Sequence, residues 1–330
     1  LQESIQRRAL EDLHAAGFKE DDYGWLTSGE LWERLQIRRP AGAIYTPHIA
    51  RIQPGALAAG LAATVEKAGV EIFEQTRALA IWDDAIETDR GWVRAAARII
   101  AVEGFNYEFA ALRDRVLPVS SRIIATRPLS NEEWQDVGLE EREVFSDASP
   151  VTTYGQRSVD DRLVFGARGS YRYGGQPRSD FSADERAFDR IHRLLLDCLP
   201  QLEGVPITHR WGGTLGIVRN ATPHAIYDPI SGLGTAGGYG GEGVGASNLM
   251  ARTLVDLLLK RDTPLVTQPW AHRCPLDRPL RRWQPEPLRW LGYQVTSLAL
   301  AAEETAGQRE WPGPVTRLAS GLNRVLESLR

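Results

Sequence analysis

A glycine-rich segment that leads into an apolar stretch is the feature that most constrains this fold. From residue 232 to 245 the chain runs Gly-Leu-Gly-Thr-Ala-Gly-Gly-Tyr-Gly-Gly-Glu-Gly-Val-Gly, and residues 246–259 are apolar nearly all round a helix. Glycine allows a backbone to approach a ligand without a Cβ clash, and a helix N-terminus offers free N–H groups and a positive dipole end. The segment is therefore typical of a ligand-binding turn before a buried helix.

The segment also contains a dinucleotide-binding pattern, although its context is unusual. Two successive sets of glycines match G-x-G-x-x-G, namely Gly232, Gly234 and Gly237, then Gly238, Gly240 and Gly243. A dinucleotide site also needs an acidic residue about 20 residues further on, at the end of a second strand. Asp262 lies near that distance, but at a helix end. Spacing alone leaves two interpretations, a ligand-binding loop or a loop whose glycines pack a helix tightly against a sheet.

Composition excludes several other classes of protein. Lys and Arg total 39 and Asp and Glu total 43 in 330 residues, a net charge of −4 that argues against nucleic acid as a partner. No apolar run approaches the roughly 20 residues that span a bilayer, and the N-terminus does not resemble a signal peptide. Two cysteines, Cys198 and Cys274, do not form a disulfide scaffold. We therefore expect a cytoplasmic protein of about two domains.

Other catalytic chemistries have little support in the sequence. It contains neither C-x-x-C nor H-x-x-x-H, so we expect no metal site. G-x-S-x-G is also absent, which argues against the nucleophile elbow of a hydrolase. His48, which follows Pro47 ahead of a helix, is the histidine most worth considering. Tyr171 and Tyr173 flank an arginine and suit an anionic or aromatic substrate, although an alternating exposed strand explains them as well.

The periodicity of the first hundred residues predicts helices and short strands. Apolar spacing predicts a helix over 3–16 and a second helix that Pro54 opens and Gly69 ends. Alternation predicts a strand at Val70–Phe73 and a strand pair within 77–94. The apolar run 98–102 predicts a buried strand.

From about residue 105 the pattern changes to longer, more polar strands. Residues 116–126 and 162–166 indicate antiparallel strands, and a capping box of Ser182 and Glu185 predicts the start of a helix that ends before Pro200. Four further predictions are short strands over 207–240, a helix over 246–259, a surface wrap over 264–290 and a helix over 286–304.

Three segments together carry a resemblance to a known family. Residues 45–57 with 69–76 are similar to a passage of the form P-x-x-L … G-V-x-I-x-E-x-T; residues 98–104 with 117–129 form the second segment. The third is Arg210–Gly213 with the glycine-rich segment. In order and spacing, the chain from about 26 to 290 resembles FAD-dependent amine and amino-acid oxidoreductases of the D-amino-acid-oxidase/glycine-oxidase superfamily, in particular bacterial gamma-glutamylputrescine-oxidase-like members.

The resemblance implies an α/β fold and FAD as the cofactor. It implies an incomplete, Rossmann-like FAD-binding domain over 48–104 and 207–265, and a substrate domain with an antiparallel sheet over 1–47 and 105–206. Residues 266–330 then form a C-terminal wrap and helices. The implied reaction oxidises the C–N bond of an amine or amino acid by hydride transfer to the flavin, with oxygen or another acceptor reoxidising it.

The resemblance also assigns site residues. It places backbone N–H groups of the glycine-rich segment against the flavin ring, Ala78 near the adenine, and Glu103 and Gly104 near the phosphates. The implied cofactor-binding set is Ala78, Glu103, Gly104, Gly212, Gly237, Gly238, Tyr239, Gly240, Gly241, Glu242, Gly243 and Val244. The implied substrate-side set is His48, Tyr171, Tyr173, Trp211 and Arg219.

One departure from the family pattern bears on function. Family members begin with a strand, a G-x-G-x-x-G turn and a helix that hold the FAD pyrophosphate, and nothing similar precedes residue 54. The missing part amounts to on the order of 100 residues. We therefore expect a truncated fragment, or one half of a split enzyme that needs an N-terminal half or a partner chain. The alternatives are a non-catalytic subunit and an NAD-dependent dehydrogenase that uses the 232–243 glycines.

Overall fold

The structure, a computed structural model, describes residues 2–149 and 152–308, with side chains described up to residue 299. The helices are α1 (Gln2–Ala15), α2 (Ser28–Arg34), α3 (Pro54–Lys67), α4 (Asn131–Val137), α5 (Glu185–Cys198), α6 (Gly243–Leu258) and α7 (Leu288–Gln308). Short 3-10 helices occur at Glu103–Glu108, Pro200–Leu202 and Pro264–Thr267.

The strands fall into four sheets within this described part of the chain. They are β1 (Gly24–Leu26), β2 (Ala43–Tyr45), β3 (Ala78–Ile81), β4 (Ala85–Thr88), β5 (Gly91–Arg94), β6 (Arg98–Ile100), β7 (Val116–Pro128), β8 (Val144–Ser146), β9 (Thr153–Arg157), β10 (Arg162–Arg168), β11 (Ile207–Val218), β12 (His224–Asp228), β13 (Leu233–Gly237) and β14 (Ala271–His272). Helix and sheet are thus mixed, as the predicted α/β fold class requires.

The largest sheet is antiparallel, with the strand order β11-β7-β10-β9-β8. Helix α5 covers one face, because its apolar residues Phe188, Ile191 and Leu195 recur at helical spacing and are all buried. They pack against Ile124 of β7 and Phe165 of β10 in the main hydrophobic core. This sheet confirms the predicted antiparallel strands at 116–126 and 162–166.

A smaller mixed sheet positions the glycine-rich segment. Its order is β14-β12-β13-β6, with β12 and β13 antiparallel and β13 and β6 parallel. Helix α6 leaves the end of β13 through the glycine-rich turn and packs back on the sheet through Met250, Leu254 and Leu257. The predicted order of strand, glycine turn and helix is therefore confirmed.

A C-terminal strap, residues 283–299, covers one end of the large sheet. The Trp283 indole donates to the Ile217 carbonyl at 3.2 Å, and the Tyr293 hydroxyl donates to the Gly169 carbonyl at 3.0 Å. Trp290 joins them in a cluster with Leu117 of β7. The predicted helix near 286–304 is present as α7, which runs from Leu288 to Gln308.

The first two helices follow the sequence prediction closely. Helix α1 covers Gln2–Ala15, and Gly17 has a φ of +101°, which a left-handed C-terminal turn requires. Helix α3 begins at Pro54 and ends at Lys67, with Gly69 at a φ of +90°. Proline at the first turn and glycine after the last turn fix both boundaries.

Two predicted strands next to α3 are wrong in part. Val70–Phe73 is not a strand, because it has no neighbouring strand with which to pair among the described residues, and Phe73 is 72% exposed. The run 98–102 forms the three-residue strand β6, but β6 lies at a sheet edge. Ile99 and Val102 are therefore exposed, where the sequence predicted a buried strand.

Three further predictions need correction. The 77–94 region forms three strands, β3 to β5, because a second turn at 82–84 divides the first half of the predicted pair. The 207–240 region opens with the long strand β11, since β7 offers it a partner along its whole length. Helix α6 is buried on one side only, and Val255 on the other side is exposed.

The predicted capping box at Ser182 and Glu185 is also wrong. The N-cap of α5 is Asp184, whose side chain makes no capping bond. Its carboxylate instead accepts hydrogen bonds from Arg122 and Arg178, at 2.6 Å and 2.8 Å for the shortest contacts. The Asp184 carboxylate thus pairs with two guanidinium groups and does not cap the N–H groups of α5. These two partners lower the pKa of Asp184, although burial acts to raise it.

None of the helices in the described ranges is both long enough and apolar enough to cross a membrane. The domain boundaries given above remain a prediction.

Candidate functional site

The glycine-rich turn between β13 and α6 has backbone dihedral angles that few residues other than glycine adopt. Gly238, Gly240 and Gly241 have φ values of +77°, +60° and +116°. A side chain at any of these positions would strain the backbone. No atom lies within 4 Å of the place where a Cβ on Gly240 would be, so the turn faces open space there. The sequence therefore uses glycine here to bend the chain and to leave one side uncovered.

A buried carboxylate holds this turn against the large sheet. The backbone N–H of Tyr239 donates to Glu103 Oε1 at 2.8 Å, and that of Gly216 in β11 donates to Glu103 Oε2 at 2.5 Å. Glu103 itself has a φ of +46°, so the backbone is strained to bring the carboxylate there. Burial raises the pKa of Glu103, although the backbone N–H groups oppose the rise. Glu103 thus connects the glycine turn to β11.

Two more polar side chains are buried beneath the turn without hydrogen-bond partners. The Oδ1 of Asn106 and both ring nitrogens of His224 are inaccessible and unpaired within the described residues. The Asn106 amide and the His224 ring both lie within 4 Å of a Cβ position on Gly237. Burial lowers the pKa of His224 to about 4, and the nearby His272 adds to this effect. His224 is therefore neutral at pH 7.

The large sheet presents a polar face to the glycine turn. Register pairs Ser121 of β7 with Arg168 of β10 and with Gly213 of β11, so all three lie on one face. The Ser121 hydroxyl is 2.9 Å from the hydroxyl of Tyr154. The Arg168 Nη2 lies 3.7 Å from a Cβ position on Gly241. This face and the turn therefore border the same space.

The residues bordering this space fit the flavin end of FAD. Neither Gly213 on the sheet nor Gly240 on the turn has any atom within 4 Å of its Cβ position, so a flat ring system meets no side chain there. Helix α6 begins at Gly243 and directs its N-terminus toward the turn. Free N–H groups and the helix dipole favour electron-rich oxygen and nitrogen atoms at this point.

The predicted cofactor residues occupy different environments. Gly212 faces the helix side of the sheet, since a Cβ there would lie 2.7 Å from the Ser121 carbonyl and 2.8 Å from Phe181. The adjacent Gly213 faces the open side instead. Gly104 packs against β11, because a Cβ there would lie 2.7 Å from the Thr214 carbonyl oxygen. Ala78 lines a separate cavity of about 520 Å³.

The turn itself holds the rest of the predicted set. Gly237 ends β13, Tyr239 is half-buried, and Gly243 and Val244 begin α6. Burial and the nearby Glu103 charge raise the pKa of Tyr239 to about 12. Glu242 is exposed and is the N-cap of α6, but its side chain makes no capping bond. The contact of each residue with FAD remains a prediction.

The predicted substrate-side residues do not form one cluster. Tyr171 is buried, and its hydroxyl donates to Glu286 Oε1 of the strap at 2.5 Å, while burial and this carboxylate raise its pKa. Tyr173 is exposed and lies edge-on to Trp290, 6.3 Å between ring centres. These two tyrosines thus belong to the contact between the strap and the sheet.

The other three candidates are more dispersed. Trp211 is 40% exposed and shares the polar sheet face, because it pairs with Ile123 in the same register as Tyr154. Arg219 donates to the Arg282 carbonyl at 3.0 Å. His48 is exposed and lies 2.9 Å from Asp22 Oδ1. Their roles remain predictions, and Trp211 alone shares a face with the polar cluster.

Sequence reasoning missed three residues that border the open space, namely Ser121, Tyr154 and Arg168. It included Gly213 in the Arg210–Gly213 segment but assigned only Gly212 to the cofactor. Alternation along β7 and β10 was visible, but it does not say which residues of the two strands lie side by side. The described residues contain no group of three or more His, Cys, Asp or Glu side chains that could hold a metal ion.

An antiparallel sheet set over a glycine turn and a helix N-terminus is an arrangement that suits a flat, electron-rich cofactor ring. The chain belongs to the DAO family of FAD dependent oxidoreductases, whose profile matches residues 2–257. FAD is the cofactor of this family, which supports the resemblance seen in the sequence and argues against the NAD-dependent alternative.

Two curated relatives carry the name probable oxidoreductase OrdL. The protein from Rhizobium meliloti is 34% identical over 220 residues, which cover 65% of this chain and 48% of the relative. The protein from Haemophilus influenzae is 26% identical over 252 residues, covering 72% of this chain and 55% of the relative. This chain therefore spans about half the length of the curated relatives it matches.

Solved structures share the fold at lower identity. Glycine oxidase from Bacillus cereus superposes with a TM-score of 0.65 at 17% identity, over 79% of this chain and 70% of that chain. L-proline dehydrogenase from P. horikoshii superposes with a TM-score of 0.65 at 13% identity, over 80% of this chain and 71% of that chain. Iminodiacetate oxidase from a Chelativorans species superposes with a TM-score of 0.62 at 19% identity, over 82% of this chain and 71% of that chain. These likenesses establish the fold.

Proposed function

We propose that the protein is a FAD-dependent oxidoreductase that oxidises a carbon–nitrogen bond of an amine or amino acid. The observation that carries the proposal is the open space at Gly240 on the turn and at Gly213 on the sheet, since neither has an atom within 4 Å of its Cβ position. Family membership supplies the cofactor. Glycine oxidase, L-proline dehydrogenase and iminodiacetate oxidase, which share the fold, are all named for amino compounds.

The residues of this chain divide the work by position. When bound, FAD supplies the redox chemistry by accepting a hydride from the carbon next to nitrogen. The N-terminus of α6 stabilises negative charge on the side of the ring that it faces. Glu103 holds the turn in position through Tyr239 and Gly216. The face that carries Ser121 covers the substrate and orients it. Oxygen or another electron acceptor would reoxidise the cofactor. We place the protein in the cytoplasm.

A second candidate function has one observation in its favour. Phe73, Ile99, Val102 and Leu61 of α3 are all exposed apolar side chains, and Ile99 belongs to β6, which is a sheet edge among the described strands. Helix α3 buries none of its residues among those described. Exposed apolar surface together with an open strand edge is typical of a place where another strand and helix pack. The chain would then be a component that binds FAD only when a further polypeptide segment completes the sheet.

One experiment decides between these candidates. The purified chain is incubated with FAD, desalted, and its visible absorption spectrum recorded, after which hydrogen peroxide or dye reduction is followed with a panel of amines and amino acids. Retained flavin that is bleached by an amino compound supports the enzyme. A colourless chain that retains flavin only after an added strand-turn-helix segment supports the component. Retained flavin that no amino compound reduces overturns the proposed reaction.

A further inference from the structure

Three guanidinium groups meet around one carboxylate at the turn between β9 and β10. The Nε and Nη2 of Arg157 lie 2.8 Å and 2.7 Å from Asp161 Oδ1, and the Nη2 of Arg142 lies 3.3 Å from the same oxygen. Arg51, from the segment ahead of α3, donates through Nη1 to the Arg157 carbonyl. The Arg157 guanidinium also stacks on the Trp134 ring, 4.5 Å from its centre. We call the three arginines and Asp161 the arginine cluster.

The arginine cluster carries two positive charges in excess. Within the part of the chain that the structure describes, Asp161 is the single carboxylate that forms ion pairs with the cluster, and no carboxylate forms one with Arg51. The adjacent Asp160 pairs instead with Arg162 at 2.6 Å. One negative charge is therefore shared among three positive charges.

Like charges crowd Arg51 in particular. Burial lowers the pKa of Arg51, and the charges of Arg142 and Arg157 lower it further, while the charge of Asp161 opposes them. An arginine keeps its proton throughout the physiological pH range, so the crowding remains as an unfavourable free energy in the folded chain. A bound anion would offset this repulsion.

The cluster keeps free donors on a side that solvent reaches. The Nε and Nη2 of Arg51 have no hydrogen-bond partner among residues 2–149 and 152–299, and together they form the planar edge of the guanidinium. The side chains of Arg142 and Asp161 are 37% and 41% exposed. Glu140 and Glu141 precede Arg142 but are exposed, and neither forms an ion pair with the cluster in the described ranges. An anion from solution can therefore reach these donors.

The arginine cluster is distant from the glycine turn. Strand β10 begins at Arg162, next to Asp161, and ends at Arg168, whose Nη2 lies 3.7 Å from a Cβ position on Gly241. At about 3.3 Å per residue, the strand separates the cluster from the turn by roughly 20 Å. A small ligand at the cluster would therefore leave the space at the turn open.

We propose that the arginine cluster binds a doubly charged oxyanion of the phosphate type, at a site separate from the flavin space. Two excess positive charges match a phosphate dianion. Guanidinium groups bind phosphate oxygens through parallel hydrogen bonds, and the free Nε and Nη2 of Arg51 provide two such donors. Free phosphate and the phosphate group of an organic monoester share this chemistry.

Phosphate binding to the purified chain tests the proposal and needs no flavin. Sodium phosphate and glycerol 3-phosphate are titrated separately at pH 7.5 and constant ionic strength, with sodium chloride as the reference. Isothermal titration calorimetry and the midpoint of thermal unfolding record binding. We expect saturable binding that raises the midpoint, which chloride should leave unchanged. Tighter binding of glycerol 3-phosphate supports the site with an organic phosphate as its ligand, and equal binding supports it with the phosphate group alone.

Substitutions within the cluster locate the binding site. Arg51→Gln should bind phosphate at least tenfold more weakly, because it removes the two free donors. Arg142→Gln should weaken binding less, since Arg142 already contacts the Ser158 carbonyl and Asp161. Arg51→Lys, which keeps the charge but loses the planar edge, should lie between the wild type and Arg51→Gln. The control Arg186→Gln, an exposed arginine on α5, should bind as the wild type does.

Three outcomes would overturn the proposal. They are the absence of saturable phosphate binding by the wild type, equal binding by the wild type and Arg51→Gln, and a midpoint that rises as much with chloride as with phosphate. Circular dichroism of Arg51→Gln that matches the wild type shows that lost binding does not arise from unfolding. The result is independent of whether the chain oxidises an amino compound, because the assay contains neither flavin nor amine.

Discussion

The buried histidine beneath the glycine turn makes the stability of the protein depend on pH in a calculable way. His224, the first residue of β12, is 2% exposed, and neither ring nitrogen has a hydrogen-bond partner among the described residues. The backbone of Thr222 is close enough to oppose the pKa change weakly, but not in hydrogen-bond geometry. A proton on the His224 ring would therefore place an unpaired positive charge inside the core.

The direction of this pH dependence follows from the pKa of His224 in the folded and in the unfolded chain. The pKa of His224 is about 4 in the folded chain and returns to its ordinary value of 6.5 when the chain unfolds. Below pH 6.5 the His224 ring binds a proton in the unfolded chain, whereas in the folded chain it stays neutral. The free energy of unfolding therefore falls as the pH drops toward 4. At about 1.4 kcal/mol for each unit of pKa, the full loss is about 3 kcal/mol, of which about 2.5 kcal/mol is reached at pH 4.5.

Urea unfolding followed by tryptophan fluorescence at pH 7.5, 6.5, 5.5 and 4.5 measures this loss. Because other groups titrate as well, the informative quantity is the difference between the wild type and His224→Gln, which has no charge to gain. The wild type should lose about 2.5 kcal/mol more than the variant between pH 7.5 and 4.5. His272→Gln should recover only a small part of the loss, because burial is the larger cause.

A parallel pH dependence in wild type and His224→Gln would refute this reasoning, since it would mean that the ring is hydrated or paired in the folded chain. Raising the salt concentration is a useful control. The lowered pKa of His224 comes mainly from its burial, which salt does not screen. The difference in stability loss between the wild type and His224→Gln should therefore persist at high ionic strength.

Two further expectations test the packing of the large sheet and the start of α4. Gly212→Ala should destabilise the protein by about 1–3 kcal/mol, because the new Cβ would lie 2.8 Å from the Phe181 ring, whereas Gly213→Ala should be nearly neutral; urea unfolding of the pair compares them directly. Glu133→Ala should cost about 1–2 kcal/mol at pH 7, since Glu133 completes a capping box and binds Arg127 at 2.6 Å. Its pKa of about 2 is below the ordinary value, so the cost should vanish as the pH falls from about 4.5 toward 2; a cost independent of pH would contradict the assignment.

Local signals in the sequence located the elements around the site well. Pro54 and Gly69 set the ends of α3, and the glycine-rich segment located the turn, although α6 begins at Gly243 and not at the predicted residue 246. These features depend on residues that are close in sequence, where backbone preference and capping decide the outcome. The family resemblance then supplied FAD as the cofactor, which no local pattern indicated clearly.

Features that depend on distant residues could not be predicted. Ser121 and Arg168 face the same space only because β7 and β10 pair in one register, and nothing in either strand alone fixes it. The resemblance assigns Gly212 to the cofactor, yet the pleat turns Gly212 toward Phe181 and leaves the adjacent Gly213 facing open space. Likewise, the apolar run at 98–102 matched a buried strand, but burial depends on which elements cover β6.

The strap has a consequence for the order in which the chain matures during synthesis. Tyr171 and Glu286, which hydrogen-bond across the sheet, are 115 residues apart. At roughly 5–20 residues per second, the ribosome needs on the order of ten seconds to deliver the second partner after the first. During this interval the cluster of Leu117 and Val119 lacks the covering that Trp283 and Trp290 provide. Translation speed between residues 171 and 290 should therefore influence the yield of folded protein.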